Sequence, residues 1–103
     1  RVEVTPGRYA ATAQVRVPQA PEGNATVTLD VTPLDEAGQN LPGALATTMR
    51  ATVCDWTRLA VAGPIPAEID GERVAAVRLI VIVDGFEPGE EVHLDDVAMY
   101  RIE

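Results

Sequence analysis

The chain has 103 residues, 47% of them hydrophobic and 23% charged, with 16 acidic against 8 basic side chains and a net charge of −8. That length supports one domain, 1–103, with a modest core; the hydrophobic share excludes intrinsic disorder, and no apolar run is long enough for membrane insertion through a helix. The acidic balance argues against nucleic acid as a partner, because phosphate binding needs a basic patch.

The periodicity is β from one end to the other. Val2 and Val4 predict a short strand, closed by a Pro6-Gly7 turn. Tyr9, Ala11, Ala13, Val15 and Val17 then alternate with Arg8, Ala10, Thr12, Gln14 and Arg16. A period of two puts one set on a core and the other on a largely polar face. Pro18 to Asn24 is a loop, and Val27, Leu29 and Val31 make the next alternating strand. Pro33 to Gly43 is the longest turn-rich stretch, and residues 44–53 are small and β-branched. WTRLAVA, residues 56–62, forms another strand, which Gly63-Pro64 and Pro66 are expected to end. Val77 to Val83 has the length of a buried strand. After a Gly/Pro/Glu turn, a final alternating run carries two adjacent carboxylates, Asp95 and Asp96.

No segment of ten or more residues has helical spacing, so essentially no α-helix is expected. About seven short strands at regular spacing imply an all-β antiparallel sandwich. All eight basic residues are arginine and lysine is absent, which points to a GC-rich coding sequence and a bacterial or phage source. Asn24-Ala25-Thr26 matches a glycosylation pattern that carries no meaning in such a source. Cys54 is the only cysteine, so no internal disulfide staples the fold and the thiol reads as half-buried and inert. Opening on Arg1 without a leader, the sequence reads as a segment of a larger protein.

Thr12, Gln14 and Arg16 point the same way along one strand, and Arg78 is expected to join them from another. Their amide, hydroxyl and guanidinium groups suit hydroxyl-rich ligands, making this the best binding patch the chain offers. Ile80 and Ile82 share a face with Arg78, which implies that something covers part of it. His93 has no second His or Cys nearby and reads as a rim histidine rather than a zinc ligand. No Ser/His/Asp set, phosphate loop or distinctive carboxylate pair stands out, and the expectation is a protein that is not an enzyme.

Four stretches carry a family resemblance. VTPGRYAATAQVRVP, PLDEAGQNL, CDWTRLAVAGPIPAE and VRLIVIVDGFEPGEEVHLDDVAMY resemble, in order, segments of the xylanase-associated, galactose-binding-like carbohydrate-binding modules. The resemblance implies a jelly-roll sandwich closing on the LDDV hairpin. It also implies a structural calcium at Asp95 and Asp96, which suits ion chemistry that wants six to eight oxygens. The family's opening strands have no counterpart, so a companion segment or chain supplying those N-terminal strands is expected.

Where the sugar-binding members often carry an aromatic platform, this chain has Gln14. Tyr9 and Trp56 match framework positions, Phe86 falls in the hairpin turn and Tyr100 in the last strand, leaving hydrogen bonds to recognise a sugar. The resemblance implies an accessory module of a secreted or surface protein, extracellular or on a cell or virion surface, that tethers it to polysaccharide or glycan. The alternative is a structural or adhesion sandwich of a phage tail, capsid-decoration or cell-surface protein with no sugar binding.

Overall fold

The structure is a computed structural model that describes residues 5–102 in full and the backbone of Val2 and Glu3. The described strands are β1 (Val2–Glu3), β2 (Gly7–Val17), β3 (Thr26–Leu34), β4 (Leu45–Arg50), β5 (Cys54–Ile65), β6 (Glu68–Ile69), β7 (Glu72–Arg73), β8 (Ala76–Asp84) and β9 (His93–Arg101). No helix occurs among the described residues. A four-stranded sheet in the order β1-β8-β3-β4 packs on a three-stranded sheet in the order β5-β2-β9, and every pairing is antiparallel. The chain crosses between the two sheets from β1 to β2, β2 to β3, β4 to β5, β5 to β8 by way of the β6–β7 hairpin, and β8 to β9, which makes the expected antiparallel β-sandwich.

The alternation seen in the sequence is what builds the core. Ala11, Ala13, Val15 and Val17 of β2 are at most 1% exposed, as are Val27 and Leu29 of β3. Small residues on β2 let the sheets approach, and the larger Val27, Leu29 and Val31 of β3 fill the space above them. Tyr9 belongs to the core: its ring is buried and its hydroxyl donates to the Thr5 carbonyl at 2.6 Å.

Two strands run further than their prolines suggested. β3 continues through Pro33 to Leu34, so the loop begins only at Asp35. Beyond Val31, β4 no longer pairs with β3, and the Pro33 carbonyl on that side accepts from Leu41 N–H at 2.8 Å. The missing proline donor therefore removes no ladder bond. β5 likewise passes through Gly63 and Pro64, pairing Ile65 with Gly7, because β5 is an edge strand where proline is tolerated. The minimal hairpin β6–β7 turns on Asp70-Gly71, both at positive φ (51° and 80°), the geometry of a two-residue hairpin loop.

The β8–β9 connection is tied down at both of its glycines' ends. Gly85 has φ 80°, and a Cβ there would lie 2.9 Å from the Asn24 carbonyl oxygen, so the position needs glycine on two counts. The Glu90 carboxylate accepts from the backbone N–H groups of Glu87 (2.6 Å) and Glu22 (2.8 Å), fastening the turn to the β2–β3 loop. Phe86 packs against the core from this turn.

Candidate functional site

The outer face of the three-stranded sheet is set by the register of β2 with its two neighbours. Outward on β2 stand Arg8, Ala10, Thr12, Gln14 and Arg16. Residues directly opposite in an antiparallel pair share a face. Across β2, Arg58 lies opposite Gln14, Ala60 opposite Thr12 and Ala62 opposite Ala10. On the other side, Tyr100 lies opposite Ala10, Ala98 opposite Thr12, Asp95 opposite Gln14 and His93 opposite Arg16. The Arg58 guanidinium donates to the Tyr100 hydroxyl at 3.3 Å, reaching over β2 and placing both side chains on this face.

Trp56 joins them. A bulge in β5 sets Asp55 and Trp56 against the single residue Arg16, and the Arg16 Nε lies 3.8 Å from the Asp55 carboxylate. Trp56 is two residues from outward Arg58 and is 48% exposed; Tyr100 is 45% exposed. Trp56 therefore departs from the framework position expected of it and stands in solvent. Level with Arg16 and Ala10 respectively, the two aromatics stand roughly 20 Å apart along the strand direction. Between them the floor is Ala10, Thr12, Ala60 and Ala98, so the large side chains rise around a shallow trough.

At the Trp56 end the polar groups are organised. Arg16 Nη1 lies 3.3 Å from His93 Nδ1, and His93 Nε2 is 3.7 Å from the Glu91 carboxylate. A guanidinium can only donate, so in this contact Nδ1 is the acceptor, and Nε2 faces Glu91. His93 thus holds a rim position and orients Arg16. An open depression of about 220 Å³ beside Arg16 is lined by Val17, Pro18, Val53, Cys54 and Asp55.

The structure brings Thr12, Gln14 and Arg16 together as expected, and separates Arg78 from them. Arg78 lies opposite Thr32 on the outer face of the four-stranded sheet, in series with Ile80 and Ile82. That face is on the far side of the sandwich. Alternation gives a residue's face within its own sheet, but not which sheet its strand joins. Beside Arg78, the buried Thr32 hydroxyl donates to the Asp30 carboxylate, and the Arg78 Nε is buried without a hydrogen-bond partner among the described residues.

Asp95 and Asp96 sit in a bulge of β9, where Asp96 and Val97 together oppose Ala13. Asp96 is in the left-handed region at φ 49°, and the Asp95 carboxylate accepts from its N–H at 2.9 Å. The two carboxylates belong to a local turn of the strand. Among the described residues no third His, Cys, Asp or Glu gathers with them into a metal-ligating group.

Sequence reasoning missed Trp56, Arg58 and Tyr100 as members of the face. The signal was present: buried Leu59 and half-buried Val61 fix the parity of β5, which turns Trp56 and Arg58 outward. Compared with protein-family models and with curated proteins, the chain matches none.

Proposed function

We propose that the outer face of the three-stranded sheet binds a polysaccharide or glycan, and that the domain is a non-catalytic accessory module tethering a larger surface or secreted protein to it. The observation that supports this reading most is the pair of half-exposed aromatics, Trp56 and Tyr100, at opposite ends of a trough floored by small residues. Aromatic faces stack on the apolar faces of sugar rings and hold them with little conformational cost. Gln14, Arg16 and Arg58 supply amide and guanidinium groups between them to pair with hydroxyls. The Arg58–Tyr100 contact crosses the trough above β2, so a ligand that reaches both aromatics must pass over it or displace it.

The test is a binding screen of the folded domain against a broad glycan and polysaccharide panel, with calcium present and with calcium chelated. Trp56→Ala should weaken binding about tenfold or more, the loss of one stacked ring. Gln14→Ala should weaken it less, and Arg78→Ala, on the far face, should leave it unchanged. A folded domain that binds nothing on the panel sinks this reading, as does binding that Arg78→Ala abolishes and Trp56→Ala spares. Loss of binding or of thermal stability on chelation would instead support the calcium expectation at Asp95 and Asp96. The second reading, a structural or adhesion domain, draws its support from a different place: the uncovered apolar edge between β8 and β9.

A further inference from the structure

We propose that the glycan taken by the outer face of the three-stranded sheet is anionic, and that Arg58 and Arg8 receive its carboxylate or sulfate groups at the Tyr100 end. The inference rests on the glycan-binding reading of this face and names the chemistry of the ligand. Three arginines stand on the face, Arg8 and Arg16 on β2 and Arg58 on β5. In a chain with 16 acids against 8 bases, carboxylate partners are in excess, yet these arginines hold weak ones or none. Arg58 donates to the Tyr100 hydroxyl at 3.3 Å. Arg16 lies 3.3 Å from His93 Nδ1 and 3.8 Å from the carboxylate of Asp55, whose side chain is 91% exposed. Arg8 is exposed and forms no ion pair among the described residues. Off this face, by contrast, Arg73 pairs with Glu36 at 2.9 Å.

The charges are uneven along the sheet. The two carboxylates on the face, Asp55 and Asp95, are level with Arg16 and Gln14, at the Trp56 end. From Thr12 to Arg8, the outward residues of β2 and of the strands on either side include no acid among the described residues. Ile102 N–H donates to the Arg8 carbonyl at 2.9 Å, which sets those residues opposite each other. Arg8 is therefore the diagonal neighbour of Tyr100, about 7–8 Å away and within reach of an arginine side chain. Arg58 arrives at the Tyr100 hydroxyl from the other side, over β2.

A neutral hydroxyl at 3.3 Å is a poor acceptor for a guanidinium. A carboxylate or sulfate accepts a charge-assisted, two-pronged bond, roughly twice as strong as a neutral one. An anionic substituent would draw Arg58 off the Tyr100 hydroxyl, clearing the contact that crosses the trough and freeing the ring for a sugar face. A neutral sugar offers Arg58 only another hydroxyl and leaves that contact in place. The acidic remainder of the chain repels a polyanion and confines it to this face.

The test compares charged polymers with their own uncharged backbones by titration calorimetry on the whole chain. Polygalacturonate is set against its fully methyl-esterified form, and dextran sulfate against dextran. At least one charged polymer should bind about tenfold or more tightly than its neutral partner, and the pair that shows the difference tells carboxylate from sulfate. Arg8→Gln and Arg58→Gln should each cut that preference about threefold or more. Arg73→Gln, which lowers the net charge equally at an exposed site on the β6–β7 hairpin, should leave it unchanged.

Equal binding of charged and neutral polymers overturns the inference and leaves the glycan-binding face standing. So does a folded domain that takes neutral glycans from a broad panel and neither charged polymer. A folded domain that binds no glycan of either kind overturns both. A loss for Arg73→Gln as large as that for Arg8→Gln overturns the placement beside Tyr100 in favour of net charge alone.

Discussion

β2 lies between two strands that each turn a leucine inward, and the two leucines end differently. Leu59 of β5, opposite Ala13, is 8% exposed; Leu94 of β9, opposite Val15, is 41% exposed. Both stand beside the same buried strand, so the sheet they belong to does not account for the difference. What lies across the sandwich does. On the β5 side, β4 closes the edge, and Leu45 packs so tightly on Gly63 that a Cβ there would fall 2.6 Å from a Leu45 methyl. On the β9 side, β8 ends with Val83 itself half in solvent. Burial in a sandwich is a property of the facing pair, and among the described residues one edge has a facing pair that encloses its leucine while the other does not.

The sharpest way to test that contrast is to make the same truncation on each side. Leu59→Ala should lower unfolding free energy by about 2–4 kcal/mol in denaturant titration, as an enclosed leucine leaves a cavity. Gly63→Ala should cost about 1–3 kcal/mol through the displaced Leu45, since Gly63 has no positive φ and only the contact is at stake. Leu94→Ala should cost about 1 kcal/mol or less, because water already reaches much of that side chain. Equal losses for Leu59→Ala and Leu94→Ala would break the comparison. The smallest effect is expected at the bulge: Asp96→Gly should be neutral or stabilising by up to about 1 kcal/mol, relieving a left-handed aspartate.

Much of this was legible in the sequence. The buried faces of β2 and β3 followed from period two alone, and the loss of parity between Leu94 and Val97 marked the β9 bulge. The strand ends were harder, because Pro33 and Pro64 break a ladder only where a ladder bond is due, and that depends on partners far away in the chain. Arg78 was placed on the wrong sheet for the same reason: alternation carries no record of which strands pair. Trp56 was lost differently, since a motif likeness assigned it to the framework against the parity set by Leu59. The hairpin β6–β7 is too short for any periodicity, and its Asp70-Gly71 turn was not singled out from the sequence.

The account rests most heavily on one edge of the sandwich being closed and the other open, and methyl-resolved NMR with an inert soluble paramagnetic agent measures that directly. The account predicts strong relaxation enhancement at the methyls of Val83, Leu94 and Val97, and weak enhancement at those of Leu59 and Leu29. Val83 and Leu94 methyls as protected as Leu59 in the free chain would contradict it.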